Sequence, residues 1–215
     1  MTIVSPSILS ADFANLQRDI EMLNESEAEM IHLDVMDGIF VPNISFGFPV
    51  IKAVARYARK TLDAHLMIED PGRYVSQVRD CGVEIMNVHV EACRHLNRVV
   101  QHIHQAGMKA AVTLNPSSPV ILLEDIAADL DMVLLMSVNP GFAAQKFIPG
   151  TLDKITRLRQ LLDRTGSKAL IQIDGGINAT TGKECVERGA DILVAGNYVF
   201  ADPNPAARIS QLRHL

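Results

Sequence analysis

The regular alternation of short apolar runs with amphipathic segments is the feature that most constrains the fold of this chain. The apolar runs predict eight strands, at residues 3–9, 31–36, 62–68, 84–90, 108–114, 132–138, 169–173 and 191–195. Their near-continuous apolar character is typical of a parallel sheet whose two faces are both buried. The intervening segments predict helices at residues 12–23, 49–59, 71–81, 95–105, 119–128, 151–163, 180–188 and 203–212.

Eight strand–helix units predict a single (β/α)₈ barrel, the TIM barrel, over residues 1–215. The chain is slightly shorter than most barrels of this kind, but it is long enough for one sizeable core. An open, doubly wound sheet is the alternative architecture. It would require a Gly-x-Gly-x-x-Gly turn after an early strand, and the sequence has none there. We therefore favour the barrel.

Charge and cysteine content disfavour several classes of protein. A net charge of −5 argues against a broad nucleic-acid-binding surface. The three cysteines, at positions 81, 93 and 185, form no Cys-x-x-Cys pair, which argues against disulfides and thiolate metal sites. No segment resembles a membrane span or an N-terminal targeting signal. We expect a cytoplasmic protein without a membrane or nucleic-acid partner.

Polar side chains recur where the predicted strands end, and TIM barrels carry their chemistry at that end of the strands. His32 and Asp34 share one face of the second strand, His65 ends the third and Asp174 the seventh. In one strand alone, a His–Asp hydrogen bond and a metal site are equally good explanations. The shared location favours one divalent metal ion, with Zn²⁺ first and Fe²⁺, Mn²⁺ or Co²⁺ also suited to such ligands.

Glycines follow the last three predicted strands, at Gly141, Gly175, Gly176 and Gly196. Barrel loops after the seventh and eighth strands often bind a phosphate through backbone N–H groups. Turns also need glycine for conformational reasons alone, so each glycine by itself is weak evidence. The pair of loops together indicates a phosphate site. A nucleotide P-loop is excluded because no Gly-Lys-Ser/Thr follows.

Three methionines, Met36, Met67 and Met136, should point into the barrel mouth. Methionine most often fills irregular gaps in an apolar core. Placed at strand ends, these three could instead cover a planar reaction intermediate with an apolar, polarizable surface.

Five motifs spread over nearly the whole chain are specific enough to indicate a family. They are PSILSADF at 6–13, HLDVMDGIFVPN at 32–43, DAHLM at 63–67, LMSVNPGF at 135–142 and DGGI at 174–177. Together they resemble ribulose-phosphate 3-epimerases, which are barrels of the ribulose-phosphate-binding type. The resemblance implies a metal-dependent isomerase that interconverts D-ribulose 5-phosphate and D-xylulose 5-phosphate, and it implies a homo-oligomer.

The resemblance also implies roles for individual residues. His32, Asp34, His65 and Asp174 would be the metal ligands, with Asp34 also the proton acceptor and Asp174 the proton donor. Ser7 and His65 would contact the sugar. The remaining predicted contacts with the substrate, mainly its phosphate, are Gly141, Phe142, Ala143, Ala144, Gly175, Gly176, Gly196 and Asn197. Two carboxylates on opposite sides of a planar, metal-stabilised enediolate would allow a proton to leave one face and return to the other.

Two departures from the family pattern leave the sugar open. Ala143 and Ala144 stand where the family usually has two glycines, and Asn197 stands where it usually has serine. Alanine restricts φ, whereas asparagine can still donate to a phosphate. A 3-epimerase of a related ketose phosphate, such as D-allulose 6-phosphate, is therefore an alternative.

Three other kinds of protein fit the sequence less well. A phosphosugar lyase of the same fold should carry Asp-x-Lys-x-x-Asp on the second strand, whereas this chain has Asp34-Val-Met-Asp37. A Schiff-base aldolase needs a buried strand lysine, and Lys109 lies near the start of its strand. A non-catalytic sugar-phosphate-binding protein would not need two acid–base carboxylates.

Overall fold

Eight parallel strands form the sheet of the protein, and the structure, a computed structural model, describes all of residues 1–215. The strands are β1 Ile3–Pro6, β2 Met30–Met36, β3 Thr61–Met67, β4 Ile85–His89, β5 Lys109–Leu114, β6 Met132–Met136, β7 Leu170–Asp174 and β8 Ile192–Ala195. They pair in the order β1-β8-β7-β6-β5-β4-β3-β2. A parallel bridge between Ser7 and His32 completes the ring. The predicted TIM barrel is thereby confirmed.

Helices surround the sheet. They are α1 Leu16–Glu25, α2 Phe48–Tyr57, α3 Val75–Arg79, α4 Leu96–Gln105, α5 Thr151–Thr165, α6 Ala179–Glu187, α7 Asn197–Phe200 and α8 Pro205–Arg213. Local sequence sets their ends: the Asn178 side chain accepts from two N–H groups of the first turn of α6, and Gly166 ends α5 with a φ of 69°. No helix combines the length and apolarity needed to cross a membrane.

The buried core lies mainly outside the barrel, between the sheet and the helices. Outward-facing strand residues and helix residues form one cluster of 49 buried side chains. Inside the barrel, a small apolar layer closes the end where the strands begin, formed by Met30, Ile85, Ala111, Met132 and Ile192. The next layer is polar and completely buried, and it contains His32, Asp63, Asn87, Thr113 and Gln172. The polar layer supports the mouth from below.

The predicted secondary structure differs from the observed one in several places. The first strand ends at Pro6, and Ser7 accepts a hydrogen bond from the N–H of Leu9 to cap a short 3₁₀ turn. The helix predicted at 119–128 is wrong, because that segment forms two 3₁₀ turns, at Val120–Leu123 and Ala127–Asp129. The four-residue helix α7 was not predicted.

Candidate metal and active site

Four side chains from three strands converge at the mouth of the barrel. His32 and Asp34 come from β2, His65 from β3 and Asp174 from the end of β7, and one ligand atom of each lies within 4.8 Å of the others. Nδ1 of His65 is 3.2 Å from Asp34 Oδ1, 3.3 Å from His32 Nε2 and 3.8 Å from Asp174 Oδ2. Two imidazole nitrogens and two carboxylate oxygens placed in this way could hold one divalent cation.

His32 is oriented from below by a buried carboxylate. Its Nδ1 atom lies 2.8 Å from Asp63 Oδ2, which also accepts a hydrogen bond of 2.8 Å from Gln172 Nε2. This contact holds Nδ1 of His32 and leaves Nε2 as the atom that faces the cluster, 3.3 Å from both His65 Nδ1 and Asp34 Oδ1. Carboxylates in this position commonly fix the ring of a metal-binding histidine.

His65 is oriented by a second histidine. Its Nε2 atom lies 2.8 Å from Nε2 of His89, and Nδ1 of His89 lies 3.3 Å from Glu91 Oε2. Burial lowers the pKa of His89 to about 4, so this ring is neutral at physiological pH. The planes of the two rings are inclined by 22° to each other, and their centroids are 4.9 Å apart.

The electrostatics of the cluster favour a positive charge at its centre. Burial lowers the pKa of His32, but the carboxylates of Asp34 and Asp63 outweigh it and raise that pKa well above its ordinary value. Burial also opposes the ionisation of Asp34, yet His32 and His65 hold its pKa well below the usual range. Burial and the charge of Asp34 raise the pKa of Asp174 to about 7. The two carboxyl groups therefore differ in protonation near neutral pH.

A cavity of about 410 Å³ opens above the cluster. Its lining includes these predicted site residues: Ser7, Asp34, Met36, Met67, Met136, Gly141, Phe142, Ala143, Ala144, Asp174, Gly175, Gly176, Gly196 and Asn197. His32 and His65 are completely buried behind its wall and do not line it. The structure thus brings Asp34, Asp174 and the three predicted loops together around one space, with the two histidine ligands behind its wall.

The chain matches the model of the ribulose-phosphate 3 epimerase family over residues 3–200. It is 47% identical over 211 residues to the ribulose-phosphate 3-epimerase of Bacillus subtilis, which covers 98% of this chain and 97% of that protein. The corresponding enzyme of Escherichia coli K12 is 39% identical over 212 residues, which are 98% of this chain and 94% of that protein. The chain belongs to the ribulose-phosphate 3-epimerase family. The resemblance read from the motifs is confirmed.

Solved structures show the same architecture at much lower sequence identity. A 3-hexulose-6-phosphate synthase from Salmonella typhimurium superposes with a TM-score of 0.71 at 20% identity, covering 100% of this chain and 97% of its own. A mutant tryptophan synthase α-subunit from Pyrococcus furiosus gives 0.72 at 15% identity, covering 100% and 98% of the two chains. At this low sequence identity, the two structures show a shared fold and nothing more.

Several residues around the site of this family member were assigned no role from the sequence. Asp63 and Gln172 support His32, while His89 and Glu91 support His65. Strand alternation was a usable signal for two of them, because Asp63 precedes His65 by two residues and Gln172 precedes Asp174 by two. Further unpredicted residues of the cavity wall are Ser10, Lys146, Asn178, Thr181 and Tyr198.

Proposed function

We propose that this chain is a 3-epimerase that interconverts D-ribulose 5-phosphate and D-xylulose 5-phosphate. The observation that carries the proposal is the placement of two carboxyl groups, Asp34 on β2 and Asp174 on β7, at one cavity of an epimerase-family barrel. Two strands, β1 and β8, separate β2 from β7 around the ring on the shorter side. Carboxyl groups from separate strands can approach a bound sugar from different sides, as epimerisation requires.

The donor set fits one divalent cation. Nε2 of His32, Oδ1 of Asp34, Nδ1 of His65 and Oδ2 of Asp174 converge, and no thiolate is among them. Such a set leaves room for a substrate oxygen, unlike the closed, thiolate-rich sites of structural zinc. When bound, a divalent ion supplies Lewis acidity, which makes the proton next to a carbonyl group more acidic.

The protein's own side chains would hold and move the C3 proton. Asp34 is the proposed acceptor on one face of the sugar and Asp174 the proposed donor on the other. The hydroxyl of Ser7 donates a hydrogen bond of 2.5 Å to Oδ2 of Asp34, which fixes the orientation of that carboxylate. Oδ1 of Asp34 is left to face the histidines.

Apolar side chains would keep water away from the reacting carbons. Met36 and Met67 are paired across β2 and β3, and Met136 is paired with Asp174 across β6 and β7. All three methionines are buried and line the cavity. Their sulfur atoms would offer a polarizable surface to a planar intermediate.

We place the substrate phosphate against the loops that follow β6, β7 and β8. Gly175 and Gly176 have φ values of 117° and 65°, and a Cβ at these positions would lie 2.4 Å from Val138 and 2.6 Å from Phe147. Glycine is therefore required there by the packing of the turn, which brings the backbone to the cavity wall. Gly196 faces Ser7 and Ser10.

The proposed resident metal is Zn²⁺, with Fe²⁺, Mn²⁺ and Co²⁺ as the alternatives for the same ligands. We further propose that residues 1–215 act as one domain, in a homo-oligomeric and cytoplasmic enzyme. Three free cysteines, two of them buried, agree with a reducing compartment.

The two-base assignment is tested with Asp34→Asn and Asp174→Asn. Asparagine keeps the shape and a ligand oxygen but cannot accept the proton, so net epimerisation should fall about 10²–10⁴-fold in each variant. Each variant should still exchange the C3 proton with D₂O from one epimer only, with opposite preferences. NMR of exchange over a panel of ketose phosphates that includes D-allulose 6-phosphate would also identify the preferred sugar.

Metal content must be measured in the same samples, because loss of the ion would also abolish activity. Asp37→Asn is a matched control, since Asp37 caps the loop after β2 through the N–H groups of Ile39 and Phe40 and does not line the cavity. The Asp37→Asn variant should catalyse epimerisation starting from either of the two epimers. If both metal-replete active-site variants exchange the same epimer, one carboxylate is only a ligand.

A further inference from the structure

The cavity is lined by a single basic side chain, that of Lys146. Its acidic lining residues are Asp34 and Asp174, which belong to the cluster below it. Lys146 is exposed, and the one ion pair that a lysine of this protein forms belongs to Lys183. The ammonium group of Lys146 is therefore available to an anionic ligand in the cavity.

The main chain at Lys146 is fixed beside the loop that follows β7. The next residue, Phe147, is so close to Gly176 that a Cβ on Gly176 would lie 2.6 Å from the N atom of Phe147 and 2.9 Å from its Cα atom. On the other side, the Gln145 side chain donates hydrogen bonds of 2.6 and 2.8 Å to two carbonyls of its own loop. Lys146 thus extends a flexible side chain from a fixed backbone that adjoins the proposed position of the phosphate.

The charges of the cavity are separated in a way that suits a sugar phosphate. The carboxyl groups of Asp34 and Asp174 lie at strand ends, whereas Lys146 lies in the loop that follows β6. A phosphate is repelled by carboxylates and attracted by an ammonium group. Lysine binds phosphate as a point charge on a flexible stem, so it needs no rigid geometry before the ligand arrives. This separation favours a substrate whose phosphate points to Lys146 and whose reacting carbons point to the carboxyl groups.

We infer that Lys146 binds the phosphate of the substrate and sets the preference for a phosphorylated over an unphosphorylated ketose. This inference rests on the phosphate position of the proposed function. The phosphate is at C5, away from the reacting C3, so Lys146 contributes to binding and takes no part in proton transfer. Its contact is the same in the ground state and in the transition state, and its loss therefore raises KM and leaves kcat unchanged.

The first test measures kcat and KM for D-ribulose 5-phosphate in Lys146→Met, which keeps the length of the side chain and removes its charge. KM should rise about 3–20-fold, as expected for the loss of one charge-assisted hydrogen bond at an exposed site. Lys146→Arg should stay within about twofold of the wild type, because it keeps the charge and the donors. The difference between Lys146→Met and the wild type should shrink as salt is added, since salt screens exposed charges.

Lys168→Met provides the matched control. Lys168 is also exposed, but it precedes β7 and lies at the end of the barrel where the strands begin. The substitution changes the net charge of −5 by the same amount as Lys146→Met does. An unchanged KM in Lys168→Met separates a contact with the substrate from the overall charge of the protein. Urea unfolding of every variant shows whether the comparison is made between folded proteins.

The second test asks whether the effect depends on the phosphate. D-Ribulose lacks the group that Lys146 binds, so Lys146→Met should leave kcat/KM for this sugar at the wild-type value. The specificity ratio between the phosphorylated and the free sugar should therefore fall by the same factor by which KM for D-ribulose 5-phosphate rises. An equal loss for both sugars would show that Lys146 supports the loop and does not bind phosphate, which would overturn the inference.

The third test needs no turnover. D-Ribitol 5-phosphate has no carbonyl group and cannot react, so calorimetry measures its binding alone. Its dissociation constant should rise about 3–20-fold in Lys146→Met and stay near the wild-type value in Lys146→Arg and Lys168→Met. Equal dissociation constants in the wild type and folded Lys146→Met, or no binding by the wild type, would overturn the inference. Failure of the wild type to epimerise any ketose phosphate would instead refute the proposed function, and the ribitol 5-phosphate titration would still decide the role of Lys146.

Discussion

Ala144 is one of two non-glycine residues with a positive φ, 58°, and it lies in the loop that follows β6. An L-residue with a Cβ is strained in this left-handed region by about 1–2 kcal/mol. The loop is held in place by several contacts: Asn43 donates to the carbonyl of Gly141, and Gln145 donates to the carbonyls of Asn139 and Phe142. The strain is therefore retained at the wall of the cavity, where Ala144 lies.

We expect Ala144→Gly to stabilise the protein, by about 0.5–1 kcal/mol, because relief of the strain outweighs the added freedom of the unfolded chain. Ala143→Gly is the matched control. Ala143 has no positive φ, so the same change there should destabilise by a similar amount. Urea unfolding with an unchanged m-value measures both effects. Shifts of the same sign in the two variants would show that this loop does not hold Ala144 in the strained conformation.

Individual site residues differ in how far the sequence could reveal them. His32, Asp34, His65 and Asp174 were predictable because period-two alternation places each on the inner face at a strand end. Asp63 was not assigned, although it obeys the same alternation. Its role depends on the register that pairs it with His32 across β2 and β3, and register between parallel strands is not encoded in a single-strand pattern.

The helix α5 shows a limit of pattern analysis at the level of elements. Basic residues of an amphipathic helix usually lie on its outer face, but Lys154 is only 4% exposed. Its Nζ atom donates to the backbone carbonyl of Asn115 at 2.5 Å and to that of Pro116 at 3.4 Å. Burial lowers the pKa of Lys154 to about 8, despite the opposing charge of Glu91. The long aliphatic part of the Lys154 side chain allows its ammonium group to reach from α5 to the loop after β5.

The lowered pKa of Lys154 should affect the stability of the protein at alkaline pH. Between pH 8 and the ordinary lysine pKa of 10.5, the unfolded chain binds more protons at residue 154 than the folded one. Lys154 should therefore add a contribution to the free energy of unfolding that increases with pH. From pH 8 to pH 10, the free energy of unfolding of the wild type should rise by about 1–2 kcal/mol more than that of the Lys154→Met variant. This figure allows for residual solvent screening. Urea unfolding at both pH values measures this difference. An equal rise in the two proteins would contradict the lowered pKa of Lys154.

The one helix that was predicted wrongly lies in the connection between β5 and β6. Val120, Leu123 and Ala127 are buried at spacings that suit an α-helix. The same spacings also suit 3₁₀ turns, and the observed backbone bonds run from Glu124 to Ile121 and from Asp129 to Ile126. Periodicity alone therefore predicted which side chains are buried but not the hydrogen-bond pattern. Helix α7, with four residues, is too short to produce a periodic signal.

At the scale of the whole molecule, the barrel interior is divided between apolar and polar layers. Strand order and the 49-residue outer cluster follow from repeated apolar runs, and the sequence was sufficient for this part of the fold. The polar interior is different, because the protein buries histidines and carboxylates that need partners to offset their desolvation. Asp63 and Gln172 supply partners below, whereas the four convergent ligand atoms have mainly one another. A bound cation should therefore stabilise the entire barrel as well as the reaction.

We expect removal of the metal by a chelator to lower the melting temperature. An ion at 100 times its dissociation constant stabilises the folded state by about 2.7 kcal/mol, which corresponds to roughly 5–10 °C for a domain of this length. The effect should diminish as the pH falls below about 7, because protons compete with the ion for Asp174, whose pKa is raised to about 7, and for His32, whose pKa is also raised. Asp174→Ala is the control, since its side chain is partly exposed and its removal leaves no fully buried group without a partner. Calorimetry with and without added Zn²⁺ should show a large shift for the wild type and a much smaller one for the variant. An equal shift in both proteins would place the ion outside the His32, Asp34, His65 and Asp174 cluster.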